Sequence, residues 1–154
     1  MINTSDGTFG ALVASESIGI AETVVNGPGG CRDRAHILIG TMVDTDPENM
    51  GCCAVKNYSK RTGIPCTFLN GNDIIFGAEE KLESSLTDIE KVSKKDLAVI
   101  ETLGASLICT DQEKIRQDHP GMIPIRDDLS SLDFAGGFDI CSVRILEKTL
   151  TGER

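Results

Sequence analysis

The chain has no uninterrupted apolar run of about 18 residues, so no membrane-spanning helix is expected. It has no basic start followed by an apolar stretch either. Met1-Ile2-Asn3-Thr4-Ser5-Asp6 opens it instead, and a secretory leader is not expected. A cytoplasmic protein is the resulting expectation. Basic residues are in deficit: 15 Lys and Arg against 24 Asp and Glu leave a net charge of −9. That balance argues against nucleic acid or an anionic membrane as the main partner and leaves room for a partner with a basic face. No CxxC pair occurs, which removes zinc-ribbon, ferredoxin-run and thioredoxin motifs. Neither GxGxxG nor GxxxxGK[ST] occurs, so no nucleotide-binding motif is present. The two histidines, His36 and His119, stand apart with no motif around them. No Ser-His-Asp or Cys-His arrangement can be read, and His36 is expected on a helix surface. Internal repeats and low-complexity tracts are also missing.

What is present is enough for one domain with a core. The chain has 154 residues and is 40% hydrophobic, which suits a single globular unit over 1–154. Six cysteines in a cytoplasmic setting read as thiols or metal ligands before structural disulfides.

Hydrophobic periodicity supplies the elements. Residues 7–20 read as a helix rich in small residues, which lets two backbones approach closely. Glu22 to Asn26 reads as a strand and 32–40 as a helix. Residues 41–63 are polar and loop-like. Cys66-Thr67-Phe68-Leu69 reads as a strand stopped by Asn70-Gly71-Asn72. Ile75, Ala78, Leu82, Leu86 and Ile89 form an amphipathic stripe at helical spacing. On its polar face Glu90 and Lys94 stand at a supportive i,i+4 spacing. Leu97 to Thr102 reads as a strand buried on both faces. Thr110-Asp111-Gln112-Glu113 has capping-box spacing and should open a helix running to about Gln117. Met122 to Ile125 is a further strand, and Phe138, Cys141 and Ile145 mark a final helix with Cys141 toward the core. Strands alternating with helices argue for an α/β domain with a mostly parallel sheet, in which ligands gather at the carboxyl ends of strands.

The turn Asn26-Gly27-Pro28-Gly29-Gly30-Cys31 lies just beyond one such end. Its glycines and proline make a tight strand-to-helix junction. The turn presents Cys31 near a helix N-terminus, where backbone N–H groups and the helix dipole favour a thiolate. Metal ligation or redox chemistry suits such a thiol; a turn with an incidental buried cysteine is the plainer reading. Cys52 and Cys53 are adjacent, so their side chains point apart, and one can ligate while the other packs. Cys66 reads as core or as a neighbour of a cluster, and Cys109 as buried. Asp44, Asp46, Glu48, Asp127 and Asp128 read as solvated loop carboxylates.

Several segments line up with one family. Gly10-Ala11, Gly19-Ile20 and the turn ending at Cys31 resemble the start of nitrogenase component 1 subunits and their relatives. There a Gly-Ala helix leads to a His-Gly-Pro-x-Gly-Cys turn whose cysteine ligates an iron–sulfur cluster. Asp73 to Leu82 is similar to the family's acidic-aliphatic-Phe-Gly-Gly segment, and Leu97 to Asp111 to its strand and Thr-Cys turn. Ile123-Pro124-Ile125 and Gly136-Gly137-Phe138-Asp139 continue the match. The resemblance implies a three-layer Rossmann-like domain, the first of three α/β domains in the family's subunits. It implies an oxidoreductase segment passing electrons through a cluster, 4Fe–4S or larger, at a subunit interface to a hard-to-reduce substrate. Cys31 would ligate the cluster, with Gly27, Gly29 and Gly30 letting backbone approach it. The implied partners are a homologous or identical subunit and an ATP-dependent iron–sulfur reductase.

The chain departs from the family pattern at three places. Asn26 stands where His is common, Leu103 follows Thr102 where the family has Cys, and Asp6 sits near the place of an earlier cysteine. Asp6, Cys52, Cys53, Cys66 or a partner chain are then the candidates for the remaining ligands. The alternatives are a non-enzymatic assembly scaffold or partner subunit that has lost its cluster, and a plain α/β domain binding a small ligand.

Overall fold

A computed structural model describes residues 6–42, 63–108, 110–126 and 128–152. Three short strands form the centre: β1 (Glu22–Asn26), β2 (Leu97–Glu101) and β3 (Met122–Ile125). They pair in the order β1-β2-β3, all parallel, with Glu22 opposite Leu97 and Leu97 opposite Met122. Alternate side chains leave the sheet on opposite faces. Val25, Ala98, Ile100, Ile123 and Ile125 pack with Phe9, Leu12, Cys141 and Ile145. Val24, Leu97, Val99 and Met122 pack with Leu82, Leu86 and Ile115 on the other side. Burial on both faces explains why β2 and β3 are near-continuous apolar runs. The result is the expected three-layer, Rossmann-like α/β arrangement.

The first face is covered by α1 (Gly7–Ile18) and α7 (Phe134–Thr151). Glycines allow their backbones to meet. A Cβ on Gly137 would overlap the Gly7 carbonyl, and one on Gly10 would overlap Phe134 O. Asp6 caps the start of α1, and Gly19 ends it in the left-handed region at φ 68. Between β1 and the undescribed segment runs α2 (Gly29–Met42), which starts three residues earlier than its expected first residue, Arg32. After that segment come α3 (Gly71–Phe76), α4 (Glu79–Val92), the short α5 (Leu103–Ser106) and α6 (Gln112–Asp118).

Four local expectations are corrected. Cys66 to Leu69 is not a strand: its strand-like pairing with β1 and the turn is limited to two isolated parallel bridges, Val25 with Cys66 and Pro28 with Leu69. Phe68 is the reason, since its φ of 51 leaves the extended region between the two bridges. The helix expected from Ile75 is broken at Gly77, whose φ of 94 ends α3. Ile75 therefore leaves the stripe and is exposed, while Ala78, Leu82 and Leu86 keep it. Asp111, not Thr110, caps α6, accepting from Lys114 N–H. Lys94 falls beyond α4, and Glu90 instead meets buried His119, 3.0 Å from Nδ1. Among the described residues no helix is long and apolar enough to cross a membrane.

Candidate functional site

The turn after β1 is fixed by its neighbours on both sides. Thr102 N–H donates to Asn26 O at 3.0 Å, and Thr102 Oγ1 donates to the same oxygen at 3.1 Å. Thr67 Oγ1 donates to Asn26 Oδ1 at 3.0 Å, and Gly27 N–H donates to Thr67 Oγ1 at 3.0 Å. Asn26 is thus a buried tie between β1 and the 66–69 segment. Pro28 O then accepts Cys31 N–H at 3.0 Å as α2 begins.

The glycines of the turn differ in what they make room for. A Cβ at Gly27 would overlap Thr102 Oγ1, so that glycine is needed for packing within the chain. A Cβ at Gly29 would come 3.0 Å from the Phe68 ring. A Cβ at Gly30 would meet no atom of the described residues within 4 Å, so of the three this glycine alone has no packing reason among them.

Asp6, Cys31 and Leu103 come from distant parts of the sequence and line one cleft of about 310 Å³. Arg34, Phe9, Thr102 and Ser130 complete much of its wall. The cleft lies beyond the carboxyl ends of β1 and β2, where parallel sheets place ligands. Cys31 is half-buried with a free thiol. Leu103 is 57% exposed, an apolar side chain turned to solvent. Asp6 is fully engaged: Oδ1 accepts Phe9 N–H at 2.9 Å, and Oδ2 lies 2.7 Å from Arg34 Nη1.

Cys66 stands outside this wall. Its Sγ donates to Gly27 O at 3.3 Å and accepts Phe68 N–H at 3.3 Å. Burial raises its pKa, the Phe68 N–H opposes that shift, and ionisation of Cys31 raises it further. Cys141 is buried as expected, and burial pushes its thiol up to about 12. Asp128 is a solvated loop carboxylate, as expected, and hydrogen bonds from Ser130 and Ser131 lower its pKa. The readings for Cys52, Cys53, Cys109, Asp44, Asp46, Glu48, Asp127 and the His36 side chain lie outside the described residues.

Sequence reading missed Glu101. It ends β2 with only 8% exposure, bonded to Gln112 Nε2 and 3.4 Å from Arg126 Nε. Burial raises its carboxyl pKa, while Arg126 and then Gln112 pull it down. Glu101 and Arg126 line a smaller cavity of about 120 Å³ that shares Thr102, Leu103 and Ser130 with the Cys31 cleft. A charged residue closing an otherwise apolar parallel strand was the available signal.

Among the described residues, no three His, Cys, Asp or Glu side chains gather as a metal site. Among the described residues, Cys31 is the one cysteine lining this cleft, and Asp6 is bonded through both oxygens. No protein-family model matches this sequence, and no curated protein matches it.

Proposed function

We propose that this chain is the cluster-bearing first domain of a nitrogenase-like oxidoreductase subunit, acting in the cytoplasm. Cys31 contributes a ligand to an iron–sulfur cluster shared with a homologous or identical subunit. One observation carries this reading. Residues 6, 31 and 103, matched to the family's ligand positions from segments far apart in sequence, line a single cleft at the strand ends. A bound cluster supplies one-electron transfer there. The chain's own part is to hold the Cys31 sulfur at the cleft wall, to leave the backbone bare at Gly30, and to set the Arg34 guanidinium beside it. An ATP-dependent iron–sulfur reductase is the electron source in this reading, and the substrate is one that is hard to reduce.

A second reading is a partner subunit or assembly scaffold without a cluster. Leu103 in the third position and the engagement of Asp6 by Arg34 favour it. Anaerobic purification followed by iron and sulfide analysis separates the two. The first reading expects iron and sulfide in the protein and a sharp fall in both for Cys31→Ala. Protein that stays iron-free after reconstitution with iron and sulfide supports the second. Iron that is unchanged in Cys31→Ala moves the site elsewhere.

A further inference from the structure

β2 and β3 run in register, with Ile100 opposite Ile125. The next residue along each chain, Glu101 and Arg126, therefore brings a carboxylate beside a guanidinium, with Arg126 Nε 3.4 Å from Glu101 Oε2. Gln112 Nε2 donates to that same oxygen. No described residue donates to the other oxygen, Oε1. The Glu101 side chain is only 7% exposed, and a buried carboxylate oxygen without a donor is costly. Oε1 is not sealed inside the protein: among the described residues, the one sealed side-chain oxygen or nitrogen without a partner is Gln112 Oε1. Glu101 lines the cavity of about 120 Å³, and so do Arg126, Asp128 and Ser130. Ser130 Oγ donates to Asp128 Oδ1 at 2.6 Å and fixes that second carboxylate.

From this arrangement we propose that the cavity binds a small α-amino acid as its zwitterion. The ligand's ammonium group donates to Glu101 Oε1, and its carboxylate takes the terminal N–H groups of Arg126. Both are charge-assisted hydrogen bonds, roughly twice as strong as neutral ones. The size fits: the cavity has the volume of about four liquid waters at roughly 30 Å³ each, enough for glycine, alanine or serine. The charges decide the class. A simple anion would meet two carboxylates, and a simple cation would leave the Arg126 guanidinium unanswered. A zwitterion carries both charges a few bonds apart, as the paired strand ends do. Gln112 is a positioning residue, holding Oε2 so that Oε1 stays turned to the ligand. The cavity shares Thr102, Leu103 and Ser130 with the Cys31 cleft, so the ligand sits beside that cleft without filling it. The inference stands independently of the cluster reading.

The test is a titration of the isotope-labelled full chain followed by amide NMR. Glycine, alanine and serine are the probes, with acetate and methylammonium as single-charge controls. The expected result is saturating shifts at the amides of Thr102, Leu103, Ser106 and Ser130 for at least one zwitterion. Acetate and methylammonium should bind roughly tenfold more weakly or worse, having lost one charge-assisted contact. Glu101→Gln and Arg126→Gln should each weaken the zwitterion by a similar factor. Arg126 is partly exposed, so Arg126→Gln carries the test if Glu101→Gln does not fold. Three results overturn the proposal: no saturating shifts with any zwitterion, acetate or methylammonium binding as tightly as the zwitterion, or unchanged affinity in a folded variant.

Discussion

Arg34 Nη1 lies 2.7 Å from the Asp6 carboxylate, whose other oxygen caps the first turn of α1. Asp6 thus ties the start of one helix to the second turn of another, beside Cys31. Asp6→Ala should cost about 1–2 kcal/mol, mostly through the lost cap. Asp6→Asn keeps a capping side chain and loses only a half-exposed ion pair, so its cost should stay near 0.5 kcal/mol. Urea denaturation of both variants measures the difference. Equal losses would show that the charge, not the cap, is what matters.

Glycines at the α1–α7 contact should tolerate no side chain. Gly10→Ala or Gly137→Ala puts a methyl group into the facing backbone and should destabilise on the order of 3 kcal/mol, or prevent folding. Gly30→Ala meets open space inside a helix, so it should be neutral or stabilising by up to about 0.5–1 kcal/mol. Thermal denaturation and soluble yield compare the three.

Glu101 sets a pH dependence. Its folded pKa is raised above the ordinary glutamate value of 4.5 by burial, with Arg126 and Gln112 opposing. The folded state then holds this proton more tightly than the unfolded chain. The stability it contributes is complete below pH 4.5 and is lost as pH rises through the folded value. Glu101→Gln cannot titrate, so its stability relative to the parent should increase with pH across that window. Denaturant midpoints at a series of pH values check this; a constant difference would contradict it.

Cys141 should resist modification in the folded protein. It is fully buried, and its thiol is pushed up to about 12. Brief native treatment with iodoacetamide should label Cys31 and Cys66 and spare Cys141, which should react fully after denaturation. Quantitative peptide mapping reads the labels. Native labelling of Cys141 at the rate of Cys31 would mean that the α1–α7 layer opens readily.

Leu103→Cys places a thiol in the cleft that Cys31 also lines and should cost little stability, since Leu103 is largely exposed. If the cleft is a cluster half-site, the variant should retain more iron per chain than its parent after anaerobic reconstitution. Unchanged iron content would count against the cleft as the place of ligation.

Reading from sequence succeeded where one physical cause dominates. The bounds of β1 and β3 follow from the sequence to the residue: β3 is a continuous apolar run, and β1 is a short β-branched run that ends at the Asn26-Gly27-Pro28 turn. It failed where a single dihedral decides. Nothing in Cys66-Thr67-Phe68-Leu69 announces that Phe68 takes a φ of 51, a conformation that non-glycine residues rarely adopt. The split of the Ile75 helix was more visible, since Gly77 was there to be weighed against a stripe of apolar residues.

By itself the sequence determined the α/β class, the parallel strands and the place of Cys31 at the start of a helix. Those follow from local periodicity and from glycine and proline chemistry. Tertiary structure alone decided which distant residues meet. It brought Asp6, Cys31 and Leu103 to one cleft, bound Asp6 to Arg34, gave Gly27 to Thr102, and placed Cys66 at the same carbonyl as Cys31. The reason is that side-chain neighbours across a parallel sheet are set by strand order and register, which no local pattern encodes.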